Sequence, residues 1–521
     1  MTGQPSLRIL AEAMTTATDD RRPAPMPLVE LVNGTAGAVV VRRHDVAVRG
    51  IAYHATNVKP GDLFVCVRGV RDDGHRHARE AVERGAVALA AEHPLEGLEG
   101  VAQIRVADSR RELSALAARF YRYPSSRLRL IGITGTEGKT TTAFLVDSIL
   151  RAAGRTTGLF GTIVNRVGVM ESRADLTTPE APDLQRLLWQ CAETGVSDVT
   201  MEVSSHALSQ DRVADCEFDL AVLTNLHADH LDYHGSHHAY RLAKMRLFSE
   251  LGRGPEKKGR GAGVVNVDDE HASHFVRATA CPVLTFAVGT SADVVGRPLL
   301  TRLRRTVFRV RSERWVGVIN LRLTGAFNVG NALAAIGVAE CLGIAPGDIR
   351  AGLEALRAVP GRFEVISRGG GPLIVIDFAH TLAAYEQVLP TLRRLVPGRV
   401  ITVFGCAGDR DRTTRPGIGR IVTRLSDYAM VTTDNPAHED PAEIAREVTA
   451  GALEVDPAGE RHRVILDRSR AVEAALALAR PGDAVLLAGK GHEEWQIMDG
   501  RRVPYSDRWV VEALLPGGGS R

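Results

Sequence analysis

The chain has 521 residues, of which 44% are hydrophobic, 24% charged and 5% aromatic, which describes a globular α/β protein and excludes a fibrous or disordered one. A net charge of +3 makes no case for nucleic acid or a membrane as partner, and six scattered cysteines without a C-x-x-C pair exclude a disulfide scaffold. About three domains are expected at this length, in a reducing cytoplasm, since no segment has the apolar length that crosses a bilayer and the N-terminus lacks a secretory h-region.

Residues 1–25 carry no sustained periodicity and read as a flexible leader. Residues 26–125 form a small α/β module: GDLFVCVRG and VALAAEH read as strands, HRHAREAVERGA and SRRELSALAARFY as helices, and Tyr123-Pro124-Ser125-Ser126 breaks the pattern. Residues 126–360 alternate strands (LRLIGIT, TGLFGTIV, SDVTMEVS, LAVLTNL, GAGVVNV) with helical runs such as APDLQRLLWQCAETG, the layout of a nucleotide-binding domain. Within them the glycine-rich basic stretch 252–263 reads as a solvated surface loop. Pro360-Gly361 marks a linker, and residues 361–521 supply the buried-strand patterns LIVIDF, RVITVFGC, YAMVTTD and AVLLAGK of a second doubly wound domain.

The sharpest signal is IGITGTEGKTTT at 131–142, placed between an apolar strand and a helix. Gly135 and Gly138 let backbone N–H groups approach phosphate oxygens, Lys139 reaches the outer phosphates, and the Thr140 hydroxyl suits magnesium. The standard loop has glycine where this chain has Ile133, so this is a variant form. Downstream lie TTPE at 177–180, MEVSSHAL at 201–208, TNLHADHLDYH at 224–234 and Lys244, at strand ends or helix starts where a parallel sheet assembles its site. Magnesium between phosphates wants hard oxygen ligands, and Thr140 with Glu202 supplies two. Taken alone, each of these residues would pass for an ordinary polar contact.

Together with TGAFNVGNALAA, VPGRFE, DFAHT, FGCAGDRDR, DNPAHEDP and AGKGHEEWQ, these segments make the chain resemble the Mur ligase family. Within it, the resemblance is to members that add the third amino acid to UDP-N-acetylmuramoyl-L-alanyl-D-glutamate. It implies a three-domain α/β architecture with an N-terminal UDP-binding domain, a central P-loop ATPase domain and a C-terminal Rossmann-like domain. It implies a cytoplasmic monomer using ATP and magnesium on small-molecule substrates. In such ligases a carboxylate attacks the γ-phosphate to give an acyl phosphate, which an amine then converts to an amide, so that catalysis is positioning and charge neutralisation.

Carried over by position, the resemblance puts ATP on Gly135, Thr136, Glu137, Gly138, Lys139, Thr140 and Thr141, with Asn331, Arg362 and Asp377 completing the nucleotide site. Thr140, Glu202, His230 and a carbamylated Lys244 would hold magnesium, and Lys139, Glu202, His230 and Lys244 would be catalytic. Thr177, Thr178, Ser204, Gln210 and Arg212 would hold the acyl substrate. Arg410, Asp434, Asn435, Pro436, Ala437, Gly489 and Glu493 would bind the incoming amino acid.

Departures fall on specificity positions. Diaminopimelate-adding members carry arginine where this chain has Ala437, and alanine cannot hold a carboxylate; the D-N-P-A form resembles lysine-adding members, with Asp434 and Glu493 as receivers of a side-chain ammonium. The expected amino acid is therefore L-lysine, L-ornithine or another residue that is not diaminopimelate. His54-Ala55-Thr56 stands where the family has Asp-Ser-Arg against UDP. That keeps open a paralogue joining an amino acid to a substrate without UDP in a specialised pathway. A noncatalytic nucleotide-binding module and a folate-polyglutamate type ligase are weaker alternatives, because the site residues and the D-N-P-A motif would go unexplained.

Overall fold

The computed structural model describes residues 21–515 except 34, 36, 43, 44, 70, 71, 99 and 367–369, so residues 1–20 of the expected leader lie outside it. Three sheets organise the chain. The first has five strands, within residues 38–106, around a core that includes Leu63, Val65, Leu116 and Phe120.

The second sheet has eleven strands and carries the phosphate loop. Its middle is parallel, with Arg129–Thr134 flanked on one side by Asp198–Glu202 and on the other by Leu220–Leu223. Strand order reverses at Arg129–Thr134, and the crevice outside the carboxyl ends at such a switch point is where α/β sheets bind ligands. Strand residues there are buried on both faces, including Leu130, Ile131 and Ile133 at 0% exposure, as expected of a parallel sheet covered by helices. Lys139–Ala152 and Phe327–Cys341 are the helices that pack on it with the shared core of Leu145, Ile149, Leu333 and Ile336.

Two additions to this sheet went unpredicted. An antiparallel hairpin, Val164–Val167 with Met170–Arg173, extends one edge, and a meander of Val294–Arg302, Arg305–Arg311 and Val316–Leu321 extends the other. The alternation was legible in Arg305–Arg311, whose Thr306, Phe308 and Val310 face the core between exposed arginines.

The third sheet has six strands, five of them parallel, built from the apolar runs Leu373–Asp377, Val400–Phe404, Tyr428–Val431 and Ala484–Ala488 with His462–Val464 at one edge. A final hairpin pairs Trp495–Met498 with Arg501–Pro504.

The stretch 252–263 corrects an expectation. Its backbone is a surface loop up to Gly261, where the strand Ala262–Asn266 takes over, but Lys257 is only 6% exposed, and its ammonium donates to the Leu128 and Glu217 carbonyls and to Asp219 Oδ2 at 2.7–2.9 Å. One lysine turns inward because three oxygens await it at the start of the central strand.

Candidate active site

The turn after Arg129–Thr134 needs its glycines. Gly135 and Gly138 have φ of 145° and 83°; a Cβ on Gly135 would lie 1.9 Å from Thr224 Oγ1, and one on Gly138 would lie 2.3 Å from Asn331 Oδ1. The loop is pinned by Asn225, whose Oδ1 accepts from Glu137 N at 2.8 Å, and by Thr224 Oγ1, which donates to the Glu137 carbonyl at 2.6 Å. Lys139 folds over the loop, donating to Gly135 O and Thr136 O at 2.9 and 2.8 Å.

Above the loop opens a cavity of about 680 Å³ between the second and third sheets. Thr136 to Thr141, Asn331, Arg362 and Asp377 line it, together with Thr177, Glu202, Ser204, His230 and Arg410. Sequence reasoning missed Thr162, Asn225, Asp229, Phe378 and His380, which also line it. All but Thr162 stood inside quoted motifs, Asn225 and Asp229 in TNLHADHLDYH and Phe378 and His380 in DFAHT, but only the fold brings the DFAHT segment to the loop.

Neighbouring strand ends set the polar centre: Thr140 Oγ1 donates to Glu202 Oε2 at 2.9 Å, and Arg362 Nη2 donates to Thr140 Oγ1 at 3.1 Å from beyond the linker. The third sheet reaches the loop again through Thr381, whose Oγ1 donates to Glu137 Oε1 at 2.8 Å. Asp377 accepts from the backbone N–H groups of Phe363 and Ala379 at 2.6 and 2.7 Å, yet burial still raises its carboxyl to about 6.

On the opposite wall, His230 adopts a left-handed backbone (φ 53°) beside Asp229, and its ring stands edge-on to His206, with centroids 4.7 Å apart. Burial drives the His230 imidazole well below its ordinary range, which keeps it neutral and able to ligate. Lys244 is 1% exposed, and burial, reinforced by the charge of Lys139, pushes its amine well below the ordinary lysine range. Among the described residues no three His, Cys, Asp or Glu side chains converge on one point. The donor set nevertheless fits magnesium, which is ordinarily held by one or two carboxylates plus substrate phosphates.

The expected acyl-substrate residues form one network. Thr178 Oγ1 donates to the Glu202 carbonyl at 2.9 Å, Arg212 donates to Thr178 O at 3.0 Å, and the same guanidinium pairs with Glu180 at 2.9 Å and with Gln210 Oε1 at 2.7 Å. Glu180, the last residue of TTPE, is thus the carboxylate that Arg212 grips in this structure.

The expected amino-acid residues cluster behind the cavity, and Arg410 alone of them lines it. Asp434 is 5% exposed and packs under Gly489, where a Cβ would lie 2.9 Å from Asp434 Oδ2. Lys490, wholly buried, donates to Asn435 Oδ1 at 2.8 Å and pairs with Glu493, with Asp434 Oδ1 at 3.6 Å. The ammonium received by Asp434 and Glu493 here is therefore the chain's own. Ala437 takes a left-handed φ of 54°, and its N–H donates to Ile497 O at 3.0 Å on the final hairpin. In the first domain, His54 Nδ1 and Thr56 Oγ1 bond each other at 2.8 Å and Ala55 is buried.

Comparison with known proteins covers all three sheets. The catalytic domain model of the Mur ligase family matches residues 47–122, the Mur ligase middle domain residues 133–339, and the Mur ligase glutamate ligase domain residues 361–491. UDP-N-acetylmuramoyl-L-alanyl-D-glutamate--2,6-diaminopimelate ligases of Syntrophomonas wolfei and Geobacillus thermodenitrificans are 39% and 40% identical, each over 94% of this chain and 99% of their own. A solved structure of a ligase of that name is 31% identical over 91% of this chain and 96% of its own, with a TM-score of 0.62. The MurF ligase of Thermotoga maritima in complex with ADP, 20% identical with a TM-score of 0.61 over 85% of this chain and 94% of its own, shares the fold.

Proposed function

The chain belongs to the Mur ligase family, and we propose that it joins an amino acid to the D-glutamyl carboxylate of UDP-N-acetylmuramoyl-L-alanyl-D-glutamate. As a member it is an ATP-dependent, ADP-forming amide ligase of peptidoglycan synthesis that uses ATP and magnesium. The observation that carries the reading is the meeting of Thr140, Glu202 and Arg362 over one phosphate loop. We take residues 26–125, 126–360 and 361–521 as its domains, acting in the cytoplasm as a monomer.

In this reading Thr140, Glu202, His230 and Lys244 hold magnesium, which when bound neutralises charge on the phosphoryl oxygens. Lys139 and Arg362 bring cations to the same oxygens, and Asn331 and Asp377 border the nucleotide. Thr177, Ser204 and the Arg212 network orient the carboxylate for in-line attack. Arg410 receives the α-carboxylate of the amino acid.

For the amine we propose L-lysine or L-ornithine, because Ala437 brings no cation to a distal carboxylate. The names of the relatives favour 2,6-diaminopimelate as a second reading. His54-Ala55-Thr56 favours a third, in which the acyl substrate lacks UDP. A mass-spectrometric ligation screen separates them: the UDP-muramyl dipeptide and a UDP-free glutamyl dipeptide are each paired with lysine, ornithine and diaminopimelate. Product only from the UDP-free dipeptide would overturn the proposal, and equal use of diaminopimelate and lysine would sink the choice of amine.

A further inference from the structure

Glu202 is held by more than its own strand. Thr162 N donates to Oε1 at 2.8 Å, Thr162 Oγ1 lies 3.1 Å from Oε2, and Thr140 Oγ1 donates to Oε2 at 2.9 Å. Gly161 permits this approach, since a Cβ there would lie 2.3 Å from Glu202 Oε1. Thr162 Oγ1 is also 3.1 Å from Thr177 Oγ1. A hydroxyl has one proton to give, and an ionised carboxylate only accepts. The Thr162 proton therefore goes to Glu202, and Thr177 donates to Thr162.

The Thr162 carbonyl carries a second connection, to the third sheet. His492 Nε2 lies 3.1 Å from it, and a carbonyl only accepts, so His492 is protonated on Nε2. Its Nδ1 is buried and has no hydrogen-bond partner among the described residues, while its ring rests against Phe378 with centroids 5.4 Å apart. Among the described residues, the hydrogen bond of this half-buried imidazole is thus with the backbone of the residue that clamps Glu202.

We propose that Thr162 is a positioning residue: it fixes the Glu202 carboxylate in the orientation that faces Thr140, and His492 makes that orientation depend on how the C-terminal domain is seated. The inference rests on the ligase reading, in which Glu202 and Thr140 hold magnesium. Oε1 is held by the Thr162 N–H, and Oε2 by the hydroxyls of Thr162 and Thr140; without the Thr162 hydroxyl, Oε2 keeps only Thr140, itself assigned to magnesium, and the carboxylate is less firmly fixed. Loss of such an outer partner typically costs about 10- to 100-fold in metal affinity or activity.

The test uses the full chain. Manganese binding in the presence of ADP, read by paramagnetic resonance, and the magnesium dependence of turnover are compared for the native protein, Thr162→Val, Thr162→Ala, Thr162→Ser and His492→Phe. Valine and alanine are expected to weaken manganese binding about tenfold or more at an unchanged melting temperature, while serine stays within about twofold. Should the valine variant fail to fold, the alanine and serine variants decide. His492→Phe, which keeps the packing on Phe378 but cannot donate, is expected to move manganese affinity in the same direction. Native affinity in the alanine variant, or equal loss in alanine and serine, would overturn the role of Thr162; native affinity in His492→Phe would overturn the coupling to the third domain. A native protein that binds no manganese with ADP would overturn the ligase reading itself.

Discussion

Nζ of Lys244 donates to the Gly135 carbonyl at 2.8 Å, tying the long helix His237–Ser249 to the first residue of the phosphate loop. Burial, with Lys139 nearby, pushes that amine well below the ordinary lysine range and so favours its neutral form, which can add carbon dioxide to give a carbamate and a proton. Lys244→Met should lower turnover on the order of a hundredfold without lowering the unfolding midpoint, since it removes a group that is costly to bury. Assays and unfolding curves check both halves, and a resonance from isotope-labelled carbon dioxide, present in the native protein and absent from the variant, reports the carbamate. Native turnover in Lys244→Met would end the idea.

Arg362 reaches Thr140 at 3.1 Å with its guanidinium 4.6 Å from the centroid of the Phe378 ring. Arg362→Ala is expected to reduce kcat/KM for ATP by about 10- to 100-fold, and Arg362→Lys to recover only part because the planar fork is lost. Steady-state kinetics with varied ATP tests this, and full recovery by lysine would show that only charge matters.

Ala437 already occupies a left-handed φ of 54°, so arginine meets the same backbone demand there. Ala437→Arg should raise the preference for diaminopimelate over lysine by about tenfold or more, through a charge-assisted bond to the distal carboxylate. Competition between the two amino acids, read by mass spectrometry, gives the ratio directly. An unchanged ratio would place specificity elsewhere.

Burial first, and then the charge of Arg362, depresses the His492 imidazole from 6.5 to about 3. With the folded value below the unfolded one, the contribution of His492 is complete above about 6.5 and is lost as pH falls toward 3, at up to about 1.4 kcal/mol per pH unit. Asp377 has the opposite sign: raised from 3.8 to about 6, it adds stability as pH falls through that window. His492→Gln should therefore flatten the acid limb of the stability profile. Denaturant unfolding at stepped pH measures the slope, and an unaltered limb counts against the assignment.

Lys257 gives its ammonium to two carbonyls and to Asp219, with only 8% of its side chain exposed. Lys257→Met is expected to cost about 3 kcal/mol, because Asp219 and the carbonyls lose their donor. A urea denaturation midpoint shifted by less than a third of that would show that solvent replaces the lysine.

The sequence by itself determined the elements and the chemistry of the loop. The parallel strands were legible because burial on both faces demands unbroken apolar runs such as LIVIDF, and the phosphate turn because Gly135 and Gly138 take backbone angles that side chains resist. The antiparallel hairpin and meander at the edges of the central sheet were not predicted, although Arg305–Arg311 alternates plainly. Tertiary structure alone decided which groups meet. That Arg362 reaches Thr140 and Thr381 reaches Glu137 depends on how two sheets far apart in sequence face each other, and that Lys490 already fills the place between Asp434 and Glu493 depends on which strand ends the third sheet brings together. Local propensity carries no information about such distances, because they are set by the packing of whole layers and the burial of charges between them.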